Sequence, residues 1–265
     1  CALPISTATQ INLPGIDIAS IREMIPPSLD LYRRLKRTNV EFPSNLSVRR
    51  TWDEIAEELQ QYNQVLCIVN TRRDCHDLFE KMPAGTIHLS ASMCGEHRSC
   101  AIAEIKRKLA NGEGIRVVST QLVEAGVDID FQVVYRAFAG LSSVAQSAGR
   151  CNREGRLERF GRVVVFMPPK EAPVKDLRDG EYAMQDLLAR RGGVDVDDSA
   201  SYPEYFNALH GRANDMGREF GDWLGVSVPA EYGAGRDHRP DEVCHYQTRE
   251  FWDCCNSKVY TSCCK

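Results

Sequence analysis

The chain has 265 residues, 43% of them hydrophobic and 26% charged, with a net charge of −4. That composition suits a soluble globular protein of one large domain, or one domain of about 150 residues with an appendage. It excludes a global attraction to nucleic acid, so any such surface must be a local patch. No run of eighteen apolar residues exists to span a membrane, and no basic-then-apolar leader marks secretion.

The chain opens without a Met, as an internal fragment would, and a connection punctuated by Pro14, Pro26, Pro27 and Pro43 follows the first ten residues. Its basic segment, Arg33-Arg34-Leu35-Lys36-Arg37, reads as a solvated edge strand in preference to a phosphate contact. Thr51-Trp52-Asp53-Glu54 reads as a helix start, with Thr51 as cap and acids in the first turn. Ile55, Leu59 and Tyr62 follow at helical spacing. Val65–Val69 is a continuous apolar run of the kind found in buried parallel strands. Asn70-Thr71-Arg72-Arg73 sits at its carboxyl end, where open α/β sheets place ligand contacts. His76-Asp77 in the next helix lacks the further ligands that a metal site needs and reads as helix surface.

Thr86–Leu89 is the next strand, and Glu96, His97 and Arg98 open a helix that stops at Asn111-Gly112. Strands at 115–118, 133–135 and 162–167, with a helix at 142–151, complete an alternating β-α pattern. Such alternation predicts an α/β fold, a parallel sheet flanked by helices. Pro168-Pro169 closes that unit, and 171–265 change character: helical patches span Asp176–Arg190 and Glu204–Leu224, separated by Gly192-Gly193. Of the eleven cysteines, Cys67, Cys75, Cys94, Cys100 and Cys151 fall within predicted elements and act as small apolar residues. Cys244, Cys254, Cys255, Cys263 and Cys264 lack C-x-x-C spacing, so a disordered tail is expected there and no metal site.

The chemistry concentrates in Val117–Gly155. Q-x-x-G-R-x-x-R spacing would put Gln146, Arg150 and Arg153 on neighbouring turns of one helix, one amide beside two guanidiniums, with Gly149 permitting close approach. Planar guanidinium forks match phosphate oxygens, and an arginine reaching across a domain interface can stabilise charge in phosphoryl transfer. The turn Thr120/Gly126/Asp128 shares this polar logic.

STQLVEAGVDID resembles motif V of superfamily 2 helicases, and QSAGRCNREGR resembles motif VI. VEAGVDID, AGLSSVAQ and GRCNREG together resemble the CRISPR-associated helicase-nucleases of type I systems. In the same family's terms Ser6–Gln10 is similar to motif III, Asn70–Arg73 to motif IV, and HLSASMCGEHR and Tyr202-Pro203-Glu204-Tyr205-Phe206 to further family segments. The resemblance implies that 1–11 end a first RecA-like domain, 12–170 form the second, and 171–265 begin a mostly helical C-terminal region. It implies an ATP-dependent, single-stranded-DNA translocase and helicase that unwinds and degrades invader DNA, acting in the cytoplasm with a crRNA-guided surveillance complex. ATP would lie between the two RecA-like domains. Gln146, Arg150 and Arg153 would face its γ-phosphate, Arg153 as the arginine finger, with Gly126 and Asp128 coupling nucleotide to DNA. Thr71, Arg72, Thr120 and Gln121, with Ser90 and Arg98 at strand ends, would line the DNA backbone; such sequence-independent contacts suit a motor.

No G-x-x-x-x-G-K-[ST] occurs, and Asp241-Glu242-Val243-Cys244 only superficially imitates the acid pair that holds Mg²⁺. The phosphate loop, the Mg²⁺ ligands and the HD nuclease are therefore expected on other domains of the parent protein, leaving this chain inactive alone. Two alternatives stay open: another superfamily 2 helicase acting on DNA or RNA, and a non-catalytic half-module that binds nucleic acid or a partner.

Overall fold

The computed structural model describes residues 34–212, apart from 125 and 173–174. The motif III-like segment, the cysteine-rich tail and Asp241–Cys244 lie outside the described residues.

Six strands form one all-parallel sheet: β1 (Thr38–Glu41), β2 (Gln64–Ile68), β3 (Ile87–Leu89), β4 (Ile115–Ser119), β5 (Val133–Ala137) and β6 (Gly161–Phe166), in the order β1-β6-β5-β2-β4-β3. The helices are α1 (Trp52–Gln60), α2 (Arg72–Phe79), α3 (Gly95–Ala110), α4 (Leu141–Ala148), α5 (Lys175–Arg191) and α6 (Ser201–Arg212). The apolar run at 65–69 is buried on both faces because its side chains alternate. Val65, Cys67 and Val69 pack with Ile55 and Leu59 of α1 and Cys75 and Leu78 of α2. Leu66 and Ile68 join the opposite core, with Ile105 of α3, Leu141 and Val144 of α4, and Ala183 and Leu187 of α5. Tyr205 and Phe206 of α6 belong to that same core, so residues beyond Pro169 are continuous with the sheet's own packing.

Local signals act as expected at several element ends. Thr51 caps α1 in a reciprocal capping box: its Oγ1 accepts from the Glu54 amide at 3.3 Å, and Glu54 Oε2 accepts from the Thr51 amide at 2.7 Å. α3 stops at Asn111, and Gly112 follows with φ of 69°. Two expectations need correction. The edge strand begins at Thr38, after the basic segment instead of on it: β1 pairs with β6 from Thr38 opposite Gly161. The helix expected over 142–151 ends at Ala148. There the chain leaves the helix because Phe131 donates to the Arg150 carbonyl and Asn152 to the Phe131 carbonyl, both at 2.9 Å. These tertiary bonds replace the next helical turn.

Candidate functional site

Past the carboxyl end of β4 the chain makes a short 3-10 turn, Gln121–Val123, and reverses at Gly126, whose φ of 74° disfavours a side chain at that exposed position. Beyond it Val127, Ile129 and Phe131 are buried while Asp128 is exposed and Asp130 half-buried. This alternation sets the two carboxylates on the outer side of an extended segment.

The three predicted γ-phosphate residues meet this segment in different ways. Gln146 is exposed on α4. Arg150 is buried, its Nε donating to the Val123 carbonyl at 2.7 Å and its Nη2 to the Glu124 carbonyl at 2.6 Å. Burial, and then the nearby Arg153 charge, presses on its cationic form. Its fork therefore fastens the loop after β4 to the end of α4. Arg153 lies in the turn after the helix, its side chain 42% exposed, with Nε 3.2 Å from Oδ1 of Asp128, itself 64% exposed. A surface pair of this kind is weak and readily exchanged for another acceptor. Of the two arginines, Arg153 is the one whose guanidinium is free to meet an incoming anion.

Beneath the loop lies a buried polar network. Arg136 on β5 is fully buried; its Nη1 donates to Asn70 Oδ1 at 2.6 Å and its Nε lies 2.9 Å from Glu124 Oε1. Ser147 of α4 donates to the same Glu124 oxygen at 3.2 Å. Asn70 in turn donates to Glu181 Oε1 of α5 at 3.1 Å, and its carbonyl accepts from Gln121 Nε2 at 3.1 Å. Burial raises the Glu124 carboxyl, against the opposing pull of Arg136, and pushes Glu181 up to about 7.

The nucleic-acid candidates gather at the adjacent ends of β2, β4 and β3. Thr71 caps α2, accepting from the Asp74 amide at 3.0 Å. Arg72 is exposed, with Nη1 3.5 Å from Ser92 Oγ. Gln121 and Arg98 are half-buried. Thr120 and Ser90 are buried: the Thr120 amide donates to the Leu89 carbonyl at 3.1 Å, and Ser90 Oγ has no hydrogen-bond partner among the described residues. Exposed donors are thus Arg72 with parts of Thr71, Gln121 and Arg98. No group of three or more His, Cys, Asp or Glu among the described residues is placed to hold a metal ion. The exposed Arg153 and Gln146 do fit an anion presented from outside the domain.

Sequence reasoning passed over Glu124, Asp130, Arg136 and Glu181 as site residues. One signal was available: Arg136 stands inside the apolar run VVYRAF, and a charge there needs a buried partner.

Residues 61–156 match the family described as "CRISPR-associated nuclease/helicase Cas3, C-terminal". Among curated proteins, the Haloferax volcanii CRISPR-associated nuclease/helicase Cas3 is 39% identical over 100 residues, covering 35% of this chain and 11% of that protein. The Methanothermobacter thermautotrophicus protein of the same name is 32% identical over 148 residues, covering 54% and 18%. Among solved structures, T. fusca Cas3 superposes with a TM-score of 0.55 at 21% identity, over 70% of this chain and 26% of that one. Its ATP-bound form gives 0.53 at 22% identity, over the same shares of 70% and 26%. A chain in a structure titled "CRISPR RNA-guided surveillance complex, pre-nicking" gives 0.51 at 21% identity, over 73% and 29%. The chain thus shares the RecA-like α/β fold of these structures, a parallel six-stranded sheet flanked by helices, and it spans under a fifth of the length of those two curated relatives.

Proposed function

We infer that this chain, whose residues 61–156 match the C-terminal family model of the CRISPR-associated nuclease/helicase Cas3, works as the second RecA-like domain of an ATP-dependent, single-stranded-DNA translocase. One observation carries this reading: Arg153 projects from a fixed turn with an exposed guanidinium held, among the described residues, by one exposed carboxylate, Asp128. In this role Arg153 reaches the γ-phosphate of an ATP seated mainly on the first RecA-like domain, with Gln146 beside it. Arg150 keeps the loop after β4 in place, and Gly126 and Asp128 link that loop to the DNA side. Arg72, Thr71, Gln121 and Arg98 grip the DNA backbone, with Thr120 and Ser90 lining the strand ends behind them. Mg²⁺ accompanying ATP would take its ligands from the first domain. The parent would degrade invader DNA through an HD nuclease domain and be recruited by a crRNA-guided surveillance complex; one structural neighbour is itself a chain of a CRISPR RNA-guided surveillance complex.

The test is ATP hydrolysis by the chain alone, and mixed with a first RecA-like domain from a close homologue, with and without single-stranded DNA. Expected is negligible turnover alone, DNA-dependent turnover on mixing, and a loss of about 10³-fold or more with Arg153→Ala. Running RNA homopolymers in parallel separates a DNA motor from an RNA-directed helicase. Robust hydrolysis by the chain alone would overturn the half-site assignment.

A further inference from the structure

The side chain of Arg153 is loosely held, yet its backbone is not. The Arg153 amide donates to Asp130 Oδ1 at 2.7 Å, and the Glu154 amide donates to Asp130 Oδ2 at 3.2 Å. Both oxygens of one carboxylate are thus committed to consecutive amides of the turn. On the other side, the Arg37 guanidinium donates to the Arg153 carbonyl. Asp130 stands there because Phe131 and Cys151 form an isolated parallel bridge, setting the segment after Gly126 alongside the segment after α4. The turn then needs an unusual backbone. Asn152 adopts φ of 46° and is buried, its Oδ1 accepting from the Leu157 amide at 3.2 Å and its Nδ2 donating to the Arg37 carbonyl at 3.1 Å. Asn is among the residues that tolerate that conformation.

Asp128 and Asp130, two residues apart on the same side of the extended segment, therefore divide one task. Asp128 meets the Arg153 guanidinium, where an anion can displace it, while Asp130 holds the Arg153 backbone. Amide bonds to an ionised carboxylate are short and strong compared with neutral ones. A charge-stabilising group loses much of its effect when displaced by about an ångström. We propose that Asp130 is a positioning residue for Arg153: it fixes the origin of the arginine so that the guanidinium swings between Asp128 and phosphate from a constant pivot. This rests on the reading of Arg153 as the arginine finger.

Two measurements on the full chain test the proposal. Amide hydrogen exchange of the Arg153 and Glu154 region, read against β4, β5 and β6, reports the pivot without any activity assay. In Asp130→Ala exchange should rise by about tenfold in the turn alone. DNA-stimulated ATP hydrolysis, in the mixture with a first RecA-like domain, should lose up to about 10²-fold in kcat, with KM for ATP changed less than about twofold. Asp130→Asn, which keeps one acceptor, should fall between. Asp130→Ala added to Arg153→Ala should cost nothing further, because the pivot matters only through the arginine. Unchanged exchange in the turn overturns the proposal, as do multiplying losses in the double variant or full kcat in Asp130→Ala beside a crippled Arg153→Ala. Exchange rising throughout the sheet marks general unfolding and also counts against it. An Arg153→Ala variant with full activity instead sinks the arginine-finger reading itself, whatever the exchange shows.

Discussion

At the residue scale, Arg136 makes the largest demand on this fold, since a guanidinium at 0% exposure survives only among partners. It has three: the Asn70 side-chain oxygen at 2.6 Å, the Ala137 carbonyl at 2.9 Å, and Glu124 at 2.9 Å. Its Nη2 finds no hydrogen-bond acceptor among the described residues, so the set is incomplete there and the residue carries a desolvation cost. Glu124 meets the mirror problem, buried beside Arg136 with Ser147 as its second donor. Removing one member strands the other charge, which typically costs about 3–5 kcal/mol. Arg136→Met should therefore lower the denaturant midpoint steeply, and adding Glu124→Gln should recover part of the loss. Equal, additive losses would mean that the two groups stand independently. Its buried location hid the pairing from sequence inspection: the spacing from Glu124 to Arg136 follows no local rule, because the loop after β4 carries Glu124 onto Arg136 of β5.

At the element scale, Glu181 extends the same network into α5, accepting from Asn70 with its carboxylate buried. Burial chiefly raises its pKa from 4.5 to about 7, with the neighbouring Glu171 adding to the rise. The Ala172 amide, Arg49 and Arg136 oppose it. Because the folded value lies above the unfolded one, the native state prefers the protonated acid. Stability from this group is complete below about 4.5 and declines as the pH rises through about 7. Glu181→Gln keeps an acceptor for Asn70 without ionising. Relative to the variant, the native chain should lose about 1–2 kcal/mol between pH 5 and pH 8, allowing for solvent screening. Parallel unfolding curves at the two pH values would refute this. Half-buried His88, pressed down to about 4, has the opposite slope and is lost as pH falls, but it cancels in the difference. Elements with local causes were legible in the sequence: the apolar run of β2, the capping box of α1, and the Asn111-Gly112 stop of α3. The end of α4 was not legible. Q-x-x-G-R-x-x-R fits a helix perfectly well in isolation, and only the bridge from Phe131 to Cys151 decides against it. The residue types of the site were therefore readable before their geometry was.

At the scale of the whole molecule, a net charge of −4 sets how nucleic acid can be held. On the proposed reading, affinity for a strand comes from local contacts at the ends of β2, β4 and β3. Two of the proposed contacts there are cations, Arg72 and Arg98; Thr71, Thr120, Gln121 and Ser90 are neutral and release no counterions. For single strands each phosphate neutralised contributes about −0.7 to the slope of log K against log salt, so two cations predict a slope of about −1.4. Affinity for a short single-stranded oligonucleotide should then fall only about sevenfold between roughly 50 and 200 mM salt. Arg72→Ala should flatten the slope by about 0.7 while weakening all base sequences alike, since phosphate contacts carry no sequence information. Fluorescence anisotropy across that salt range reads both quantities. A slope steeper than about −3 would require cations beyond these strand ends, and an unchanged slope in Arg72→Ala would move the strand away from β2 altogether. If the chain is half of a motor's track as proposed, a shallow slope also suits stepping: a grip shared among neutral donors can be released and remade without first recondensing a large ion atmosphere.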